Sequence, residues 1–219
     1  MMVLFSIIKV FSELSITNIG VKMIGLSKRQ NEIIEASVSL ISQLGIQSFT
    51  MRKLAEKLTV SEPALYRHYK NKSEILNIIL ELFKQESNKA LSDIDATNNT
   101  SIDKLQLIFL SRCVFFWDNP DYSSIIFSEE LFRNDSDLSQ KLKSLMKFHQ
   151  EKLLEITSNG QNKNEIRSDI PAEHITVMFL GTLRLLVTKW RMSEYKFNLP
   201  KIGLEYFESI KKLLIAEKE

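Results

Sequence analysis

From residue 29 onward, apolar residues recur at helical spacing. In RQNEIIEASVSLISQL (29–44), Ile33, Ala36, Leu40 and Leu44 fall on one stripe, with Ile34, Val38 and Ile41 beside it. This i, i+3, i+4, i+7 pattern predicts a helix with a broad apolar face. Gly45 follows at once and suits a left-handed cap. Thr50 is placed to cap a second helix whose inward residues are Met51, Leu54, Ala55 and Leu58. Ser61 is placed to cap a short third one, with Pro63 in its first turn, where a missing N–H costs no intrahelical bond. Leu65 and Tyr69, four apart, face inward and leave Tyr66, Arg67 and His68 outside. The segment Asn71-Lys72-Ser73 breaks that helix, and Ser73 is the expected cap of a fourth, running through EILNIILELFKQESNKAL.

Helical periodicity continues beyond residue 76 without repeats. Residues 98–101 mark a loop, after which Leu105, Ile108, Phe109, Arg112 and Phe116 share one face of a helix that stops near Asn119-Pro120. Two more helices are expected over 122–133 and 137–157, followed by a polar loop, SNGQNKNE. Pro171 opens a helix to about Tyr195, and Pro200 precedes the last, ending near Ala216. Residues 175–187, ITVMFLGTLRLLV, are apolar almost all round, so every side must be covered. One side meets the chain's own core. The other meets a second subunit or more core, and the final helix, with Leu204, Phe207, Ile210, Leu213 and Leu214, shares that choice. Thirteen residues containing Arg184 are too few for a membrane span.

Only six glycines and four prolines interrupt 219 residues, which excludes a turn-rich β sandwich and predicts an all-α fold. Residues 23–74 carry eight Lys/Arg against five Asp/Glu, whereas 75–219 carry 19 against 21. A mildly basic N-terminal domain (23–74) on a larger, mildly acidic helical domain (75–219) is compatible with nucleic-acid binding, and equally with an ordinary solvated surface. The apolar start, residues 1–22, is an extension. Its first eleven residues reach only about 16 Å as a helix, short of a hydrocarbon core of about 30 Å. They form either an added helix on the body or a stretch preceding a natural start at Met23.

Cys113 is the sole cysteine, so no internal disulfide is possible and a reducing, cytoplasmic setting fits. His68, His149 and His174 show no metal spacing, and neither a glycine-rich phosphate loop nor G-x-S-x-G occurs. No enzyme and no cofactor are expected. Helix, helix, tight turn, short helix, long helix is the outline of a helix-turn-helix unit. Three helices around one small core also suit a domain with no DNA role.

Fixed residues decide between these. Phe49-Thr50-Met51-Arg52-Lys53-Leu54-Ala55, then Val60-Ser61-Glu62-Pro63-Ala64-Leu65-Tyr66-Arg67-His68-Tyr69-Lys70-Asn71-Lys72, with Arg29, Ala36 and Gly45 upstream, resemble the TetR family of transcriptional regulators. The match spans residues 29–76 and departs at Thr59, where the family commonly has glycine in the turn.

The resemblance implies a three-helix helix-turn-helix domain that places residues 62–68 in the major groove of double-stranded DNA. Glu62, Pro63 and Ala64 would face base edges, Ala64 offering a methyl to thymine and Glu62 accepting from cytosine N4. Glu62 is equally readable as a structural first-turn carboxylate. Tyr66, His68 and Lys72 match positions that donate to phosphates, Lys72 beside the free N–H groups that open the fourth helix. Arg67 reaches a base, a phosphate or only solvent. Arg52 matches a guanine-contacting position in some relatives, and Thr50 is both cap and phosphate neighbour.

A single short helix reads few base pairs, so a homodimer on a pseudo-palindromic operator is expected. The resemblance also implies a repressor whose larger domain takes a small, largely apolar effector of unknown identity, with no membrane involvement. The candidate pocket residues are Arg112, Cys113, Phe116, Trp117, Phe127 and Met178. Control by a protein partner instead of a small molecule is the alternative.

Overall fold

The computed structural model describes residues 25–128 and 136–215. The apolar extension, residues 1–22, lies outside them. All regular structure among the described residues is helical, in the order α1 (Lys28–Leu44), α2 (Met51–Leu58), α3 (Glu62–Tyr66), α4 (Lys72–Asp95), α5 (Ser101–Asp118), α6 (Tyr122–Ile126), α7 (Ser136–Asn162), α8 (Ala172–Met192) and α9 (Leu199–Leu214). Two compact units emerge, and their division cuts α4 after Glu86 and α7 after Leu145.

The first unit holds the described residues 25–86 and those between Asn119 and Leu145. A capping box opens α1: the Ser27 hydroxyl accepts from the Gln30 N–H and the Gln30 side chain accepts from the Ser27 N–H. Ile33, Ile34, Val38, Leu40 and Ile41 are buried, and α1 packs on α2 and α6. Leu44, expected on the apolar stripe, is 44% exposed because it falls in the last turn, beyond the packed face. Gly45 takes φ 77°, ψ 159°, a glycine conformation but not the left-handed helical one.

Thr50 caps α2, its hydroxyl accepting from the Lys53 N–H at 3.2 Å. Ser61 occupies the cap position of α3 but makes no side-chain capping bond. At α4 the cap is Asn71 rather than Ser73, with Oδ1 accepting from the Glu74 N–H at 2.9 Å. Of the helix expected over 122–133, α6 stops at Ile126, where the backbone leaves helical geometry at Phe127 (φ −99°, ψ 13°). Residues 129–133 lie outside the described residues.

The second unit contains Ser87–Asp118 and the chain from Met146 on. Its centre is α5, buried almost all round and packed on α8 and α9. The Phe109 ring meets Phe179 at 5.4 Å and Phe207 at 5.8 Å between centroids, tying the three helices together. The polar run after residue 157 is not a loop at first, since α7 continues to Asn162. Gly160 explains this, because a Cβ there would lie 2.6 Å from Ile166 Cδ1 and 2.8 Å from Ser101 Cβ. The Gln161 amide then donates to the Arg167 and Ile170 carbonyls at 2.8 and 2.7 Å, closing the return.

Helix α8 ends at Met192, short of Tyr195. The Ser193 hydroxyl and the Tyr195 N–H both take the Trp190 carbonyl, and Glu194 and Tyr195 turn to positive φ. Asn198 caps α9, so that helix starts before Pro200, which occupies its first turn.

Candidate nucleic-acid interface

Five residues cannot hold a helix alone in water. What holds α3 is burial: Leu65 and Tyr69 are each 1% exposed, worth about 1.5–3 kcal/mol for a large apolar side chain. The Tyr69 hydroxyl also donates to the Gln30 carbonyl of α1 at 3.2 Å. Burial and the nearby Glu74 carboxylate push this phenol up to about 12, so it remains a donor at neutral pH.

With that side fixed, the other is presented outward. Pro63, Tyr66 and Arg67 are exposed, and Glu62, Ala64 and His68 are half-buried. Thr59, in the turn before α3, is left-handed at φ 54°, ψ 46°. A β-branched residue is strained there, and its N–H compensates by donating to Glu56.

The start of α2 lies on the same unit. Thr50 is exposed with its hydroxyl used as the cap, and Arg52 extends into solvent while its Nε pairs with Glu56 at 3.1 Å. Such an exposed i, i+4 pair is worth under about 1 kcal/mol, so its breaking costs little when another anion competes.

Lys72 differs from the other basic candidates. It is half-buried, its ammonium donates to the Ile46 carbonyl at 2.5 Å, and it stands 5.6 Å from the centre of the Phe49 ring. Ile46 and Phe49 lie outside the sequence-derived set. Ile46 contributes a backbone carbonyl, which has no side-chain signature, and Phe49 reads only as core.

The candidate effector residues do not share one environment. Arg112, Cys113 and Phe116 are buried on α5. The Arg112 guanidinium lies 5.4 Å from the Phe115 ring centre, and its Nε donates to the Ser111 hydroxyl at 3.5 Å. Burial pushes the Cys113 thiol up, so it stays protonated. Trp117, 40% exposed, packs on Trp190 at 5.9 Å. Met178 is 52% exposed on the outer side of α8, with Val177 and Leu185, while Ile175, Phe179, Leu183 and Val187 of the same helix are buried. Phe127 is half-buried, follows α6 and belongs to the first unit.

A sequence profile described as "Bacterial regulatory proteins, tetR family" matches residues 33–79, and one described as "YsiA-like protein, C-terminal region" matches 79–217. The chain belongs to the TetR family. It is a helix-turn-helix, DNA-binding transcriptional regulator of bacterial type.

The chain is similar to the Bacillus subtilis fatty acid metabolism regulator protein, 25% identical over 84% of this chain and 93% of that one. A crystal structure of the transcriptional regulator FadR from Bacillus subtilis with stearoyl-CoA superposes with a TM-score of 0.67 at 25% identity, covering 88% of this chain and 100% of that one. The Mycobacterium tuberculosis ketosteroid transcriptional regulator KstR2 shares the fold at a TM-score of 0.80 and 16% identity, over 88% and 97% of the two chains. Among the described residues no helix of this TetR-family chain is long and apolar enough to cross a membrane.

Proposed function

We propose that this TetR-family protein is a cytoplasmic repressor that binds a pseudo-palindromic operator as a homodimer. A ligand with a long apolar chain, of the acyl-coenzyme A class, releases it. Residues 23–74 are the DNA-binding domain and 75–219 the effector and dimerisation domain. The observation that carries the DNA half is the two-sided α3, with Leu65 and Tyr69 buried and Pro63, Tyr66 and Arg67 turned to solvent. Glu62, Pro63 and Ala64 read base edges. Tyr66, His68 and Lys72 donate to phosphates, and Thr50, Arg52 and Arg67 flank them. Val177, Met178 and Leu185 on the open side of α8 are the surface offered to the second subunit.

The Bacillus subtilis fatty acid metabolism regulator and the stearoyl-CoA in the FadR structure support this effector class. The buried, aromatic surroundings of α5, with one guanidinium among them, suit an apolar chain carrying an anionic group. Release works as a population shift, the ligand favouring a dimer geometry whose recognition helices no longer fit successive grooves.

Fluorescence anisotropy on a bound operator duplex tests this. Stearoyl-CoA should weaken binding saturably, by about 5- to 150-fold, while coenzyme A alone should not. Intact DNA binding that neither compound alters would contradict the effector half and leave control by a protein partner.

A further inference from the structure

We infer that two copies of this chain cross antiparallel at Gly181 of α8, with Glu173 of each facing Lys189 of the partner subunit, a register that rests on the homodimer proposed above.

Every fourth residue from 173 to 189 falls on one row of α8: Glu173, Val177, Gly181, Leu185 and Lys189, all exposed. Gly181 stands at its centre. A glycine inside a helix weakens it relative to alanine. Nothing nearby requires this one, since a Cβ there would meet no atom of the described residues within 4 Å. What a missing side chain allows is the close approach of a second backbone. Val177 and Leu185, 58% and 61% exposed, flank the glycine and supply apolar surface for the approaching helix to cover.

The row also carries its own complement. From either end it runs charge, apolar, glycine, apolar, charge, with the acid in the first turn of the helix and the base in the last. Turned about a two-fold axis at Gly181, Val177 meets Leu185 of the partner subunit and Glu173 meets Lys189 of the partner subunit, and each contact occurs twice. Rows at this spacing run alongside each other when two helix axes cross at about 50°, the commonest helix packing. Within one chain Glu173 and Lys189 cannot pair, being sixteen residues apart and so about 24 Å along the helix. A parallel pairing would set acid against acid and base against base. A different protein has no reason to mirror this order, whereas a second copy mirrors it by symmetry.

Charge reversal tests the register through the dimer dissociation constant, measured by sedimentation at low salt, where exposed charges are least screened. Glu173→Lys and Lys189→Glu each set like charges face to face at two places and should weaken the dimer by about tenfold. Both together restore opposite charges and should recover most of that loss. Each charge also suits its own end of the helix, so the double variant costs the single chain twice over. Recovery of the dimer there reports contact between subunits alone.

Gly181→Leu is the second variant. Leucine favours a helix more than glycine does and finds open space in the single chain. Circular dichroism should therefore keep its helical signal while the dimer weakens by about tenfold or more. Reversals that change nothing, reversals not recovered in the double variant, or a leucine variant that dimerises like the wild type would each overturn the register. A wild-type chain that stays monomeric at micromolar concentration would overturn the homodimer itself, a result distinct from these.

Discussion

The Tyr69 hydroxyl reaches the Gln30 carbonyl across 3.2 Å and ties the end of the α3 segment to α1. Tyr69 is buried and its partner is a helix carbonyl that keeps its own intrahelical role. Tyr69→Phe should therefore cost only the net value of one hydrogen bond, about 0.5–1.5 kcal/mol, in urea unfolding. Because Tyr69 faces the core, DNA affinity should fall by the same factor on operator and random duplexes. A selective loss on the operator would place Tyr69 among the base-reading residues.

Thr59 holds a left-handed backbone at φ 54°, ψ 46°. That conformation costs an L-residue about 1–2 kcal/mol, and glycine adopts it freely but gives the unfolded chain more entropy. Thr59→Gly should raise unfolding stability by about 0.5–1 kcal/mol. A lower urea midpoint would mean that the threonine side chain contributes more than its strain removes.

Gly203 of α9 packs against Cys113 of α5, where a Cβ would lie 2.6 Å from Sγ and 3.3 Å from the cysteine Cβ. Cys113 is fully buried and cannot swing away. Gly203→Ala should destabilise by about 1–3 kcal/mol. Adding Cys113→Ala removes the sulfur and should recover part of that loss, so a double-mutant cycle by thermal melting should be clearly non-additive.

Asp169 accepts from Arg167 Nε at 2.6 Å and Nη2 at 2.5 Å, and these bonds hold its carboxyl below the usual carboxylate value. Arg167 in turn covers the end of α9, its N–H donating to the Leu214 carbonyl at 2.8 Å. A depressed carboxyl stabilises the fold above its unfolded value of about 3.9 and loses that contribution as pH falls through the lower folded value. The melting difference between wild type and Asp169→Asn should be full above pH about 5 and shrink toward zero in acid. A difference that grows on acidification would contradict the assignment.

The helix-turn-helix segment was legible because its signals are local and mutually spaced. Thr50 caps α2 as expected, and the i, i+4 pair Leu65 and Tyr69 is buried as expected. Caps beyond that are ambiguous in sequence, since Ser61, Asn71 and Ser73 look alike and only Asn71 makes the capping bond at α4. The extension of α7 depends on Gly160 meeting Ile166 and Ser101, tertiary contacts with no local trace. Along the apolar run 175–187, one side is expected in the chain's own core and the other against a second subunit or more core; Val177, Met178 and Leu185 are open in the single chain, so more core is not what covers them. It is α5 that is enclosed, because Leu107 and Leu110 bury the side opposite the periodic stripe and Cys113 and Phe115 its flanks. The partner of Lys72 is a main-chain carbonyl, which no residue pattern announces.

Sequence-specific binding of a DNA operator by a pair of α3 helices underlies the proposed repressor. Sequencing duplexes selected from a random library by the purified protein tests it most directly. An enriched pseudo-palindrome with two half-sites about one helical turn apart, or a multiple of it, is expected. Enrichment of no sequence, or of a single unpaired half-site, would contradict it.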